Sequence, residues 1–471
     1  MSTSSLLGSL LGNSSSSVNL TQILEAALGA SSPGIDVNGA VSAAVTAAQA
    51  PEQAWQNQET SLQNQSSALS QLQSVATSLD SDMQSLNSLT GPLSASTVTS
   101  SNSSIITGSA ASGTAPGNYV VVVNSLATPD SWSSSTMASD TAALPAGTVT
   151  ITTANGPATI TTGSGVNTLD DLASSINGDN LGVTASVITD ATGARLSIVS
   201  STSGSASDFT VSSSTSPSFG FSEAVQGQNA SLTVNGLSIS SATNTVTGAV
   251  PGVSLNLYST SSSPVTLTVS PNTTQITNAI NQFVSDYNSL ISSVNAQFAY
   301  TPGSGQGILA TDPTVRNLQT ALQQSVGYTY SPSSGTTTMP NLSSLGITVN
   351  SDGTLSVNNS TLSSALQNNF SDVQSFFQGT SQNGFANALD QQLTSFTSPG
   401  SGAFTVDLQS ISSQISDYKT DITNFQTNVI QPLQTQLQAE YSKAEIALQQ
   451  LPSELRNVDA ELGINTSSSN G

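Results

Sequence analysis

The chain has 471 residues, enough for roughly two to four domains with apolar cores of their own. Its 27 acidic residues outnumber five basic ones, Arg195, Arg316, Lys419, Lys443 and Arg456, and a net charge of −22 opposes phosphate backbones and anionic lipid, so neither nucleic acid nor a membrane is an expected partner. There is no cysteine and no histidine, which excludes disulfides, thiolate or imidazole metal sites, Cys-His dyads and Ser-His-Asp triads.

The N-terminal stretch MSTSSLLGSLLGNSSSS has two leucine pairs but no basic residue before them, so a cleaved signal peptide is not expected. No apolar run approaches the roughly 18 residues that would span a bilayer. A three-four spacing then runs through Trp55, Gln58, Leu62, Gln65, Leu69, Leu72, Ala76, Leu79, Met83, Leu86 and Thr90. It predicts a long helix with a heptad seam of about five repeats, weakened where Gln58, Gln65 and Thr90 enter it.

From Ser94 to Ser270 the period drops to two, in runs such as YVVVVNSLA and GTVTITTANGPATI, which predicts an all-β insert with a hairpin turn at Asn155-Gly156. Inside it, Thr168 and Asp171 have the spacing of a helix N-terminal box, Gly178 is the expected stop, and two strands should follow around Ala191 to Gly193. Asn235-Gly236 reads as a type I′ turn and Pro251-Gly252 as a type II turn, each between alternating apolar strands. Trp132 is expected at a domain boundary.

Past Ser270 helical spacing returns in Ile276, Ile280, Phe283, Tyr287, Leu290, Val294 and Phe298, and Asp312-Pro313 opens another helix. A small hairpin about Ser351-Asp352-Gly353 follows, and this middle section should pack on the terminal helices. A second seam comprises Leu408, Ile411, Ile415, Tyr418, Ile422, Phe425 and Val429, then Leu437, Tyr441, Ala444, Leu448, Leu451, Leu455, Val458 and Leu462. Pro432 and Pro452 should kink or break it. Two seams some 300 residues apart most simply pair with each other or with copies of themselves, since a lone helix cannot bury its stripe.

No chemistry-bearing motif emerges. The PGSGQG loop, Pro302 to Gly307, has the wrong spacing for a phosphate-binding fingerprint, and the carboxylates are scattered. The chain is read as a non-enzyme without cofactor or metal.

Three stretches together resemble one family, the bacterial flagellar filament-capping proteins, or hook-associated protein type 2. They are Gly34 to Thr90, beginning GIDVNGAVSAAVTAAQAPEQAW; the segment TLDDLASSINGDNLGVTASVITDATGARLSIVSSTSG with its Ile176-Asn177 motif; and NASLTVNGLSISSATNTVTGAVPGVSLNL with the following NAINQFVSDYNSLISSVN. Family-motif positions here are Ile176, Asn177, Asn244, Pro251, Gly252, Phe283, Tyr287 and Asn288. Residues before Gly34, including VNLTQILEAALG, extend beyond the family pattern.

The resemblance implies an α+β multidomain chain: a helical coiled-coil leg from both termini plus a mid-chain helical region, and two nested antiparallel β-rich head domains. The implied division is a terminal segment at 1–50, the leg at 51–93 and 273–440, an inner β domain at 94–128 and 228–272, an outer β domain at 129–227, and a C-terminal helix and tail at 441–471. The expected oligomer or flagellin interface is the seam Leu62, Leu69, Leu72, Leu79, Met83, Leu86, Ile411, Ile415, Tyr418, Ile422, Phe425, Val429, Leu448, Leu451 and Leu455. The implied partners are further copies in a ring, most often described as a pentamer, flagellin, the hook-filament junction protein, and an export chaperone on the C-terminal region. The implied location is the extracellular filament tip, reached through the flagellar type III apparatus. Two other readings stand beside it, another flagellar axial protein such as a junction protein or flagellin, and an adhesin binding a glycan through its β head.

Overall fold

The computed structural model describes residues 36–461 apart from 301, 304, 333 and 334; side chains at 452, 455, 456 and 459–461 are outside that description. The VNLTQILEAALG stretch, the Leu455 side chain and Leu462 therefore lie outside the described residues. The described residues divide into two compact units, one drawn from 36–78, 289–322 and 392–461, the other from 79–288 and 323–391.

Helix α1 (Val37–Ala48) starts at Asp36, whose carboxylate accepts the Gly39 N–H at 2.9 Å. Helix α2 (Ala50–Asn87) follows almost directly, with Pro51 in its first turn. Strands β1 (Ser96–Ser100), β2 (Ile106–Ala110) and β3 (Gly117–Ser125) come next. The chain then makes β4 (Pro129–Ser134), β5 (Ala146–Thr153), β6 (Gly156–Thr162), helix α3 (Leu169–Gly178), β7 (Val183–Asp190), β8 (Gly193–Ser203), β9 (Thr210–Ser216) and β10 (Phe221–Val225). It returns through β11 (Ala230–Val234), β12 (Leu237–Ser241), β13 (Thr245–Val250), β14 (Val253–Leu257) and β15 (Val265–Pro271).

The excursion from β4 to β10 is nested inside the other strands, and each set buries its own core. The first set forms a five-stranded sheet, β1-β15-β3-β11-β12, and a three-stranded one, β13-β14-β2. Their alternating Val and Leu residues enclose a cluster that includes Val121, Val123, Leu232, Leu255 and Leu267. The nested set forms sheets β10-β4-β8-β7 and β6-β5-β9, which close with α3 over Val149, Ile151, Leu172, Ile176, Leu196 and Ile198. All paired strands are antiparallel.

Local signals place most of these elements. Thr168 and Asp171 form the reciprocal box at the start of α3, with bonds of 3.1 and 3.0 Å. Asn235 and Gly236 both take positive φ (50° and 83°), as a type I′ turn requires, and Gly252 takes φ 74° at the Pro251-Gly252 turn. Two expectations are corrected. Gly178 is the last residue of α3 rather than its stop; the left-handed residue beyond the end is Asn180, φ 51°. The β5-β6 hairpin turns on Ala154 and Asn155, with Gly156 already in β6 at φ 108°. Trp132, near the start of the nested set, packs on its core, with its indole N–H donating to the Phe209 carbonyl at 2.9 Å.

Helix α4 (Thr273–Phe298) buries Ile276, Ile280, Phe283, Tyr287, Leu290 and Val294, and α5 (Pro313–Ser325) buries Val315, Leu318 and Leu322. Hairpin β16 (Ile347–Val349) and β17 (Leu355–Val357) leads to α6 (Asn359–Asn368), α7 (Phe370–Gln378), α8 (Phe385–Thr397) and α9 (Ala403–Phe425). A π-helical turn, Gln426–Ile430, joins α9 to α10 (Gln431–Glu461). In the middle section Ser289–Leu322 belongs to the unit that holds most of the terminal helices, and Gln323–Gln391 to the unit that holds the β strands and the end of α2. Helix α10 continues through residue 452 without a break, since proline removes one helical hydrogen bond while its fixed φ remains helical.

Candidate functional site

Among the described residues no group of three or more Asp or Glu side chains is placed to hold a metal ion. A cleft of about 170 Å³ is lined by uncharged groups, including Ser94, Thr114, Pro116, Phe370 and Gln374. The arrangements with definite geometry are the pairing of the two chain ends and the anchoring of the β edges.

The two seams pair with each other, antiparallel. In the unit that holds the chain ends, Trp55 meets Phe425 edge to face at 5.4 Å, Lys419 Nζ lies 3.8 Å from Glu59 Oε1, and Gln73 Nε2 donates to Thr405 Oγ1 at 3.4 Å. Gln426 Nε2 donates to Glu52 Oε1 at 2.6 Å, and α1 lies against α10 further out. As the number rises along one helix it falls in step along the other.

On α2, Leu62, Leu69, Leu72, Leu79, Met83 and Leu86 are all buried. On α9 Ile411 is buried, while Ile415, Tyr418, Ile422 and Phe425, and Val429 in the π turn, are half-buried. Leu448 and Leu451 on α10 are 43% and 49% exposed, with Val458 on the same face at 47%. Gln58 is exposed, and Thr90 lies past the end of α2 and is exposed too, so neither enters the seam. A helix of 3.6 residues per turn drifts about 20° per heptad, and that drift brings other polar groups inside, notably Glu52 at 3% exposure.

Three asparagines among the family-motif positions perform one task. Asn177 accepts the Ala185 N–H and donates to the Ala185 carbonyl, both at 2.8 Å. Asn244 does the same for Ala127, at 2.7 and 2.9 Å, and Asn288 for Leu355, at 2.6 and 2.8 Å. A primary amide offers the donor and acceptor of a peptide group at the end of a short side chain, so each pairs with both backbone groups of one residue. Ala185 lies on the edge strand β7, and Leu355 on the two-stranded β16-β17 hairpin. The pairs at these positions satisfy backbone groups that would otherwise be buried without partners. Ile176, next to Asn177, is fully buried in the nested core, while Phe283 and Tyr287 are buried on α4.

Phe283 belongs to an aromatic cluster: Phe385 stacks on Phe376 at 5.4 Å and meets Phe283 at 5.6 Å, Phe377 at 5.9 Å and Tyr328 at 5.9 Å. The buried Gln378 donates to the Leu86 and Ser88 carbonyls at 3.2 and 2.9 Å, closing the end of α2.

This chain matches one known family along most of its described length. The model of the flagellar hook-associated protein 2 N-terminus matches residues 33–130, that of its C-terminus residues 227–453, and that of the flagellin hook IN motif residues 148–202. The B-type flagellar hook-associated protein 2 of Pseudomonas aeruginosa PAO1 is 31% identical over 64% of this chain and 70% of its own length. This chain belongs to the flagellar hook-associated protein 2 family. The Escherichia coli K12 member is 28% identical over 65% of this chain and 71% of its own. The crystal structure of the flagellar cap protein FliD D1-D2-D3 domains from Escherichia coli aligns with a TM-score of 0.58 at 27% identity, covering 73% of this chain and 99% of that one. The matches favour neither a glycan-binding adhesin nor flagellin itself.

Two features escaped the sequence. Asp82 on α2 and Asp286 on α4 hydrogen-bond through their carboxyl groups; burial, then that bond and the charge of Asp286, push the Asp82 carboxyl up to about 7. Asp312 accepts the Thr314 N–H at 2.8 Å and the Val315 N–H at 3.2 Å at the start of α5, and burial, then the charge of Asp407, raises its carboxyl above the usual range. Neither pair is adjacent in sequence, and no periodicity joins them.

Proposed function

We propose that this chain is a structural cap at the distal end of a bacterial flagellar filament, where it promotes folding and insertion of exported flagellin and prevents its loss. The observation that carries the reading is the antiparallel pairing of the chain's two ends around a β-rich insert, in a member of the hook-associated protein 2 family. The legs and heads take the division given by the family likeness, 51–93 with 273–440 for the leg and 94–272 for the two β domains. Copies join in a ring, with Leu448, Leu451 and the part-exposed face of α9 available for contact with other subunits or flagellin. Export through the flagellar type III route, an export chaperone on the C-terminal region and seating on the hook-filament junction protein complete the proposal.

The test is immunogold electron microscopy of cells that carry the protein, together with a strain lacking it. Label at filament tips, and flagellin shed into the medium by the deletion strain, support the reading. Label at the hook junction or all along the shaft would assign another axial role.

A further inference from the structure

We propose that the leg contains a built-in hinge, formed where a break in one helix lies level with a break in its antiparallel partner, and that Glu52 is its latch. Following the pairing of Glu52 with Gln426 and of Glu59 with Lys419, Gln49 is level with the stretch around Val429. Both helices are irregular at that level. Gln49 separates α1 from α2, and Pro51, which has no N–H to donate, follows two residues later. On the other side the Gln426–Ile430 turn is π-helical, with the Gln431 N–H reaching back five residues to the Gln426 carbonyl, and Pro432 follows. A kink in one strand of a two-stranded coil is held straight by its neighbour. Coincident irregularities in both leave the outer pair, α1 with α10, able to turn against the inner pair, α2 with α9.

Glu52 lies at this level. It is 3% exposed, its Oε1 accepts from Gln426 at 2.6 Å and from Gln56 at 2.9 Å, and its Oε2 has no hydrogen-bond partner among the described residues. The Gln426 hydrogen bond ties the π turn to α2, while Gln56 steadies the carboxylate from within α2. The unsolvated Oε2 sets a desolvation cost against that closed state, which bending toward water would relieve. Two opposing terms of this kind give a hinge with two accessible settings, where a purely apolar seam would have one.

Because the chain has no cysteine, spin labels can be placed singly on introduced ones. Ser70, Thr420 and Gln438 are exposed helix positions suited to them. Pulsed electron-electron distance measurements on the full chain would compare Ser70→Cys with Gln438→Cys, across the hinge, against Ser70→Cys with Thr420→Cys, within the inner pair. The expected result is a distribution at least about twice as broad across the hinge. Removing Asn428, which takes one residue from the π turn, should narrow it, and Glu52→Ala should broaden it or shift its main distance. A distribution as narrow across the hinge as within the inner pair, or one unmoved by Glu52→Ala, overturns the proposal, even if the Asn428 deletion fails to fold. The measurement needs no flagellin, so its outcome is independent of the capping role.

Discussion

Replacing Asp82 by Asn tests the carboxyl pair directly. In the folded chain Asp82 titrates near 7 instead of near its ordinary 3.8, because burial and Asp286 favour the protonated form. The folded state therefore holds a proton that the unfolded chain has released between those two values. For an acid with a raised folded value, the associated stability is fully present at low pH, declines as pH rises through that interval, and is gone above about 7. Unscreened linkage over the interval would approach about 4 kcal/mol, but Asp82 is only half-buried and solvent reduces the effect to about 1–2 kcal/mol. The amide that Asp82→Asn introduces would supply the hydrogen to Asp286 permanently, without a proton from solution. Thermal unfolding of wild type and Asp82→Asn at pH 5 and pH 8 should show the variant's shift relative to wild type more favourable by a few degrees at pH 8 than at pH 5. Taking the difference between the two proteins cancels the other carboxylates. A variant equally destabilised at both pH values would refute the shared proton.

Asn177→Ala leaves the Ala185 N–H and carbonyl without their partners and should cost about 2–4 kcal/mol, read by urea unfolding through Trp132 fluorescence in a Trp55→Phe background. Phe385→Ala opens a cavity among Phe283, Phe376, Phe377 and Tyr328; a loss of about 3–5 kcal/mol is expected by denaturant titration, and a loss below about 1 would mean the cluster collapses to fill it. Self-association should vary little between low and moderate salt when followed by sedimentation, since the chain has only five basic residues to form ion pairs; a steep loss would place charge at the subunit contacts.

Secondary structure was legible in the sequence, because period, capping boxes and turn residues are local properties, whereas the nesting of one β set inside the other was implied by the family likeness. The three-four spacing from Leu62 to Leu86, the Thr168-Asp171 box and the Asn235-Gly236 turn each depend on residues only a few positions apart, and each appears in the structure as read. Family likeness marked Asn177, Asn244 and Asn288 but could not say that each grips the backbone of a residue 8, 117 or 67 positions away. Tertiary structure decided the rest. It set which polar groups enter the seam, since small drift per turn accumulates until Gln58 faces water and Glu52 does not. It also brought Asp82 to Asp286, and the break at Gln49 level with the π turn, juxtapositions fixed by how distant helices align rather than by anything written along either one.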